Sequence, residues 1–206
     1  MSQSEGVIQY RLEHHNGELP ADADYTGLFD WFARCRQADL LGRDPQRYGG
    51  YAYGNISVRV GTADGFLISG TQTGGRQRLD RDDLAWVRHF DSAANALTAQ
   101  GPARPSSEAM THGEVYAALP AVGAVIHAHS PTIWHLAADI GLVVTATEAA
   151  YGTPAMAGEV RRLLRETPQA GIIAMGGHED GIIAYANTMQ EAGQRLLETL
   201  ARAQAT

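Results

Sequence analysis

The stretch that decides the fold is residues 104–130, RPSSEAMTHGEVYAALPAVGAVIHAHS. Pro105 keeps the approach to the serines extended, and the pattern after it predicts a short helix that Ser106 or Ser107 caps. Glu108 then lies in the first turn of this helix. The apolar run AVGAVI predicts a buried strand, and the HAH that follows lies where this strand reaches the surface.

Outward from this stretch, paired strands alternate with helices. A helix is expected over residues 22–41, a hairpin over GGYAYGNISVRV and GFLIS with GTADG as its turn, and a further strand over DLAWVRHF. Helical patterns follow in PTIWHLAADI, PAMAGEVRRLLRET and MQEAGQRLLETLARAQ, and GIIAMGGHEDGIIAYANT predicts two strands around a polar turn. Because there is no regular βαβ rhythm, we expect a mixed or antiparallel sheet with helices packed on it.

Length and composition favour one globular domain that acts on a small molecule. The 206 residues are 44% apolar, so we expect a single domain over 1–206, with residues 1–20 as an N-terminal extension or edge strand. The net charge of −7 offers no basic stripe to nucleic acid or to an anionic membrane. No apolar run is long enough to span a bilayer and no signal-peptide pattern is present, so a cytoplasmic protein is expected.

The sequence contains no lysine, and all 16 of its basic side chains are arginine. Arginine cannot supply the deprotonatable amine that an imine-forming aldolase or a pyridoxal-phosphate enzyme needs. A phosphate-binding P-loop is excluded for the same reason. The electron sink for any carbon–carbon bond chemistry must therefore be a metal or another cofactor.

Three histidines form the candidate metal site. His127 and His129 are two apart in a strand, so both side chains leave the same face of the sheet and can meet one ion. His178 lies between the apolar segments GIIAM and GIIAY, at a turn that could approach the HxH pair. Three neutral imidazoles leave an open coordination position, as a catalytic Zn²⁺ site requires. The alternative is ordinary polar residues near strand ends, with Glu179 and Asp180 as solvated turn carboxylates.

Glu108 is the candidate general acid/base, because it lies at a helix start rich in small residues where backbone amides can also receive an anion. The alternative is a first-turn carboxylate favoured only by the helix macrodipole. His112 lies on the same helical face and is either a partner of this site or an exposed histidine. Residues 54–57 (GNIS) and 69–75 (SGTQTGG) could present amides and hydroxyls to an anion, although turns use the same residue types.

Taken in order, GNIS, the loop after LIS, PSSE, HAH and a later histidine in an apolar hairpin resemble the class II aldolase/adducin family. The resemblance runs from about Asp24 to the C-terminus and is strongest in RPSSEAMTHGEVYAALP and AVIHAHSP. It implies an α/β fold, a three-layer α/β/α sandwich with a central, mainly antiparallel sheet. It also implies a homo-oligomer, a homotetramer, in which a neighbouring chain's tyrosine completes the pocket, with Tyr116 and Tyr151 as candidates.

Carried over residue by residue, the resemblance makes His127, His129 and His178 the ligands of a divalent metal. Zinc is the first expectation, and Mn, Co and Fe are alternatives. The resemblance also makes Glu108 the carboxylate that shuttles the substrate proton. The family's substrate or phosphate contacts correspond to Asn55, Ser106 and Ser107 and, in the glycine-containing loop, to Thr73 and Gly74 in preference to Ser69 and Gly70.

The function that the resemblance implies is that of a metal-dependent lyase, an aldolase. The cation would chelate the carbonyl and adjacent hydroxyl oxygens of a ketose-like or hydroxy-acid substrate and stabilise an enediolate, the role that lysine cannot take here. The family's epimerases generally have aspartate where this chain has Glu108, which favours carbon–carbon cleavage or dehydration. One departure is that Glu179 and Asp180 stand before Gly181, whereas the family usually has glycine directly after the third ligand.

Two other functions stay open at this point. The same metal site could serve dehydration, decarboxylation, epimerisation or iron-dependent oxygen chemistry, because three ligands do not dictate the reaction. The chain could also be a binding or scaffold protein of the adducin kind, with the fold but without the reaction. Retention of the three histidines and Glu108 favours an enzyme.

Overall fold

A nine-stranded sheet organises residues 7–61 and 65–206, the part of the chain that the computed structural model describes. The strands are β1 (Arg11–His15), β2 (Gly42–Arg43), β3 (Ala52–Tyr53), β4 (Asn55–Arg59), β5 (Phe66–Ser69), β6 (Leu84–Asp91), β7 (Ala96–Gln100), β8 (Ala124–His129), β9 (Val143–Val144), β10 (Ile172–Ala174) and β11 (Gly181–Ala186). The helices are α1 (Tyr25–Gln37), α2 (Ala109–Ala118), α3 (Pro131–His135), α4 (Pro154–Glu166) and α5 (Met189–Gln204).

The main sheet has the strand order β1-β7-β6-β5-β4-β8-β11-β10-β9, and β2 and β3 form a separate two-stranded sheet. Its two edge strands run parallel to their neighbours, since β1 pairs in parallel with β7 and β9 with β10. The pairs between these edges are antiparallel. The predicted central sheet, mainly antiparallel, is therefore confirmed.

Helices cover both faces of the sheet. One apolar cluster packs α1, α3 and α5 against one face, and a second packs α2 and α4 against the other. Several helices begin at residues whose side chains accept a hydrogen bond from the first turn: Asp24 for α1, Ser130 for α3, Thr153 for α4 and Thr188 for α5. The predicted three-layer α/β/α sandwich is thus confirmed.

Alternation along β8 assigns its side chains to the two faces. Ala124, Ile126 and Ala128 pack in the cluster of α1 and α5. Val125 packs in the cluster of α2 and α4. Because side chains alternate along a strand, His127 and His129 share the face of Val125. The HxH pair therefore faces the layer that contains α2.

Several predicted boundaries were wrong. The helix expected over 22–41 spans Tyr25–Gln37, and the helix expected over 131–140 ends at His135. The strand expected over GGYAYGNISVRV is broken at Gly54, which has a φ of 76°, so that β3 and β4 belong to different sheets. The helix of the PSSE motif begins at Ala109, and neither serine is its N-cap. Strands β2, β7 and β9 were not predicted.

Other expectations have simpler outcomes. The hairpin of β4 with β5 and the pair of strands around the polar turn, β10 with β11, are confirmed. The predicted turn GTADG includes residues 62–64, and the predicted N-terminal extension includes residues 1–6, all of which lie outside the described residues. In the part of the chain that is described, every helix is too short or too polar to cross a bilayer.

Two helical glycines predict opposite responses to alanine. An added Cβ at Gly193 in α5 would overlap the Trp31 ring of α1, whereas Gly158 in α4 is exposed and has nothing within 4 Å of that position. We expect Gly193→Ala to lower the free energy of unfolding by about 1–3 kcal/mol through overpacking. Gly158→Ala should raise it by about 0.5–1 kcal/mol, because alanine is the better helix former.

Urea unfolding of both variants and the parent measures this difference. An increase in stability for Gly193→Ala equal to that for Gly158→Ala would contradict the close packing of α1 on α5.

Candidate metal centre

The three predicted histidines lie together in the protein interior. His127 and His129 project from β8, and His178 lies in the turn between β10 and β11. The turn reaches the HxH pair because β11 runs antiparallel to β8, with Gly181 opposite His129. One ring nitrogen of each histidine lies within 4.8 Å of the other two. The predicted convergence of these side chains is therefore confirmed.

The tautomer of His127 follows from its backbone neighbour. Its Nδ1 lies 3.2 Å from the carbonyl oxygen of Ile182. A carbonyl oxygen only accepts, so Nδ1 carries the proton and Nε2 of the neutral ring has the lone pair. This Nε2 lies 3.2 Å from Nε2 of His129. A histidine held by such a backbone acceptor has the arrangement typical of a metal ligand.

The donor set fits a divalent cation. Metal–nitrogen bonds of about 2.0–2.1 Å place two nitrogens of one ion roughly 3–4 Å apart. The separation of 3.2 Å between Nε2 of His127 and Nε2 of His129 matches this distance, and the donor atoms of all three histidines lie within 4.8 Å of one another. Three neutral nitrogen ligands also leave coordination positions for substrate oxygens.

The PSSE segment is connected to His178 through Tyr151. The Tyr151 hydroxyl donates a hydrogen bond to Oγ of Ser107, and the Tyr151 ring lies 4.4 Å from the ring of His178, centroid to centroid. Glu108 is buried at the N-cap position of α2, and its N–H donates to Oγ of Ser106 at 3.3 Å. The predicted acid/base thus belongs to a segment whose neighbouring serine is connected to the histidine cluster.

Asn55 lies on the strand next to the HxH pair. In the antiparallel pairing of β4 with β8 it is directly opposite His127, so the two side chains share a face of the sheet. Asn55 is buried, and among the described residues its Oδ1 accepts no hydrogen bond. A buried acceptor without a donor costs about 1–3 kcal/mol, which a bound hydroxyl group can offset.

The predicted loop contacts lie beside the start of β4. Thr73 and Gly74 are buried in a 3-10 turn, and the Thr73 hydroxyl donates to the Gly70 carbonyl at 2.7 Å. A Cβ at Gly74 would overlap the carbonyl oxygen of Tyr53, so glycine allows the loop to approach the chain two residues before Asn55. Ser69, the alternative candidate, accepts a hydrogen bond from the Ile56 N–H within the sheet.

A polar network borders the cluster on the side of His129. The Tyr48 ring packs edge-on against His129 at 4.6 Å between centroids, and the Tyr48 hydroxyl donates to Oδ2 of Asp180 at 2.6 Å. Burial and the bond to Asp180 raise the pKa of Tyr48 above its usual value, so this hydroxyl stays protonated. Asp180 is buried, which contradicts its reading as a solvated turn carboxylate, whereas Glu179 is exposed.

The sequence of this chain matches the family model of the Class II Aldolase and Adducin N-terminal domain over residues 44–205. This range covers most of the chain and contains the three histidines, Glu108 and Asn55. The chain belongs to this family. The resemblance indicated by the motifs is therefore confirmed.

Individual relatives of this class II aldolase/adducin family member are distant or partial. A 5-methylthioribulose-1-phosphate/5-deoxyribulose-1-phosphate aldolase of Rhodospirillum rubrum is 41% identical over 80 residues, which span 38% of this chain and 31% of that protein. The L-fuculose-1-phosphate aldolase of Thermus thermophilus superposes with a TM-score of 0.63 at 19% identity, covering 88% of this chain and 91% of that one. YgbL of Klebsiella pneumoniae superposes with a TM-score of 0.63 at 17% identity, covering 87% of this chain and 86% of that one. These structures establish the fold.

Three tyrosines near the cluster carry contacts that the sequence did not reveal. Tyr48 and Tyr53 lie around His129, and Tyr151 lies on His178. Their positions depend on chain segments far apart in sequence, so no local spacing indicates them. Tyr151 and Tyr116 are the candidates for a neighbouring subunit's pocket, which stays a prediction. Within the chain, Tyr151 contacts His178 and Tyr116 is buried against Ser57.

His112 is buried, so its interpretation as an exposed histidine was wrong. Its Nδ1 lies 2.7 Å from Oγ of Ser57, which in turn lies 2.8 Å from the hydroxyl of Tyr116. Burial lowers the pKa of His112 from 6.5 to about 3. The imidazole is therefore neutral at physiological pH and anchors α2 on the sheet one helical turn after Glu108.

The neutral His112 predicts a specific loss of stability in acid. Below pH 6.5 the unfolded chain takes up a proton at this residue that the folded chain does not bind until about pH 3. Stability therefore falls with decreasing pH across this window, by about 1.4 kcal/mol per pH unit. Between pH 7.5 and 5.0 this group alone lowers the free energy of unfolding by about 2 kcal/mol.

Urea unfolding of the metal-free protein at both pH values tests this contribution. In His112→Gln the acid-induced loss should be smaller than in the parent by that amount, whereas the surface variant His135→Gln should keep most of it. An undiminished loss in His112→Gln would show that His112 is not held neutral.

Proposed function

We propose that this class II aldolase/adducin family member is a divalent-metal-dependent lyase that cleaves or forms a carbon–carbon bond in a small ketose or hydroxy acid. The observation that carries the proposal is the buried cluster of His127, His129 and His178, whose donor atoms converge within 4.8 Å. The absence of lysine from the sequence supports the same conclusion, because imine formation is not available as an electron sink.

The three histidines would hold the cation, with zinc as the proposed ion. The proton on His127 Nδ1, held by the Ile182 carbonyl, leaves Nε2 to act as a ligand. A bound divalent cation supplies a Lewis acid for the substrate carbonyl and its neighbouring hydroxyl. The sheet would supply rigidity, because His127 and His129 lie on β8, an interior strand with a paired neighbour on each side.

Glu108 would transfer the proton at the carbon next to the substrate carbonyl. Its burial keeps bulk water from competing for that proton, and its place at the N-cap of α2 fixes its backbone. Ser106 holds the same segment through its bond from the Glu108 N–H. Proton transfer by a fixed side chain contributes typically about 10²–10⁴-fold to the rate.

The proposed substrate contacts are Asn55, Ser106, Ser107, Thr73 and Gly74. The Oδ1 of Asn55, on the strand beside His127, would accept a hydrogen bond from a hydroxyl group of a polyhydroxy substrate. The serines and the Thr73–Gly74 turn would bind the remote end and orient the bond that breaks. The Rhodospirillum rubrum relative, which acts on 5-methylthioribulose 1-phosphate and 5-deoxyribulose 1-phosphate, makes a ketose the first substrate class to test.

The proposed assembly is a homo-oligomer, as the family resemblance implies. Within their own chain, the two tyrosines considered for a neighbouring subunit's pocket contact His178 and Ser57.

Two variants separate metal binding from proton transfer. His129→Ala should lose the metal and the activity together, because it removes a ligand. Glu108→Gln should keep the metal but lose about 10²–10⁴-fold in kcat. The matched control His135→Ala removes an exposed histidine of α3 and should retain both properties.

Elemental analysis of the purified proteins gives the metal content, and aldehyde release from a panel of pentose and hexose ketoses, free and 1-phosphorylated, gives the activity. Parent protein that holds no metal after reconstitution with Zn²⁺, Mn²⁺, Co²⁺ and Fe²⁺ would contradict the proposal. A decarboxylated or dehydrated product in place of an aldehyde would reassign the reaction at the same site.

A further inference from the structure

Asp180 joins the two segments that carry the histidines. Its carbonyl oxygen accepts a hydrogen bond of 2.9 Å from the N–H of Ser130, the residue after His129. Its own position is two residues after His178, in the turn that leads into β11. Its side chain accepts the hydrogen bond of 2.6 Å from Tyr48. Asp180 is therefore bonded through its backbone to one ligand segment while it belongs to the other.

Tyr48 connects the side chain of Asp180 to His129. Its ring lies edge-on to His129, 4.6 Å between centroids, and its hydroxyl reaches Asp180. Both residues have left-handed backbone conformations, with φ of 48° at Tyr48 and 61° at Asp180. Such a conformation in a residue other than glycine is uncommon and persists where surrounding contacts hold it. The bond between the two side chains is one such contact.

The Tyr48 hydroxyl that donates to Asp180 also accepts a hydrogen bond from Arg47. The Nη2 group of Arg47 donates to the Tyr48 hydroxyl at 2.9 Å, while its Nη1 donates to Asp39 at 3.0 Å and to the Tyr53 hydroxyl at 3.2 Å. The guanidinium also lies over both tyrosine rings, at 5.1 and 4.8 Å from their centroids. Asp39 balances the charge of Arg47, so this network acts as a support and not as an anion site.

We propose that Tyr48 and Asp180 are positioning residues that set the placement of His129 relative to His178, and thereby the affinity and geometry of the metal centre. Residues that orient metal ligands typically change metal affinity or activity by about 10–100-fold when removed. Asp180 is not itself a ligand in this account, because the metal-competent group within the described residues consists of the three histidines. The inference rests on the proposed metal-dependent function.

Four single variants and one double variant test this role. Tyr48→Phe removes the hydroxyl and keeps the ring on His129. Asp180→Gly removes the carboxylate, and glycine accepts the φ of 61° without strain. Asp180→Asn is the rescue variant, because its side-chain oxygen still accepts from Tyr48 and asparagine tolerates this conformation. Tyr51→Phe is the control, since Tyr51 lies in the same segment and its side chain is exposed.

The measurement is titration of the metal-free full chain with Co²⁺, followed by visible absorption, with affinities from competition against a chelator. Tyr48→Phe and Asp180→Gly should each weaken Co²⁺ binding about tenfold and shift the absorption bands. The double variant should bind Co²⁺ at most about twofold more weakly than whichever single variant binds it less tightly. The reason is that both substitutions remove the bond between Tyr48 and Asp180. Asp180→Asn and Tyr51→Phe should retain the parent's affinity and spectrum.

The possible failures are distinguishable. A parent that binds Co²⁺ while Tyr48→Phe and Asp180→Gly keep its affinity and spectrum would overturn the positioning role and leave the proposed function standing. Effects that multiply in the double variant would also overturn it, since the two residues would then act independently. A parent that binds no Co²⁺ would overturn the proposed function and this inference together.

Discussion

The antiparallel pairing of β8 with β11 is the constraint on which the metal centre depends. It places Gly181 opposite His129, which brings the turn containing His178 to the end of the HxH strand. The same pairing places the Ile182 carbonyl next to His127 Nδ1 and so selects the ring nitrogen that faces the cluster. A shift of one residue in this register would turn the β11 side chains to the opposite face and remove that acceptor.

Burial limits how the polar groups around the histidine cluster can be arranged. The rings of Tyr48 and Tyr151 lie on two different histidines of the cluster, and each hydroxyl binds a buried side chain, Asp180 or Ser107. A polar group inside the protein costs free energy unless it is paired, so these bonds restrict the cluster to few arrangements. The Oδ1 of Asn55 has no donor among the described residues, so a ligand hydroxyl could pair with it.

Much of this fold follows from the sequence, because its strongest signals are local. The apolar run before HAH predicts β8, and the spacing of the two histidines predicts that they share one face of this strand. The amphipathic pattern of α5 predicts the final helix. Strand β7 escaped prediction because it is a short amphipathic segment beside a turn, and β9 because it has only two residues. The roles of Tyr48 and Asp180 escaped it because their bond joins residues 132 positions apart.

The most direct test of the account is a crystal structure of the zinc-loaded protein, with anomalous diffraction recorded on both sides of the zinc absorption edge. We predict one strong anomalous peak per chain, about 2.0–2.1 Å from a ring nitrogen of each of His127, His129 and His178, with His127 bound through Nε2. A peak that omits any of these histidines, or ligation of His127 through Nδ1, would contradict it.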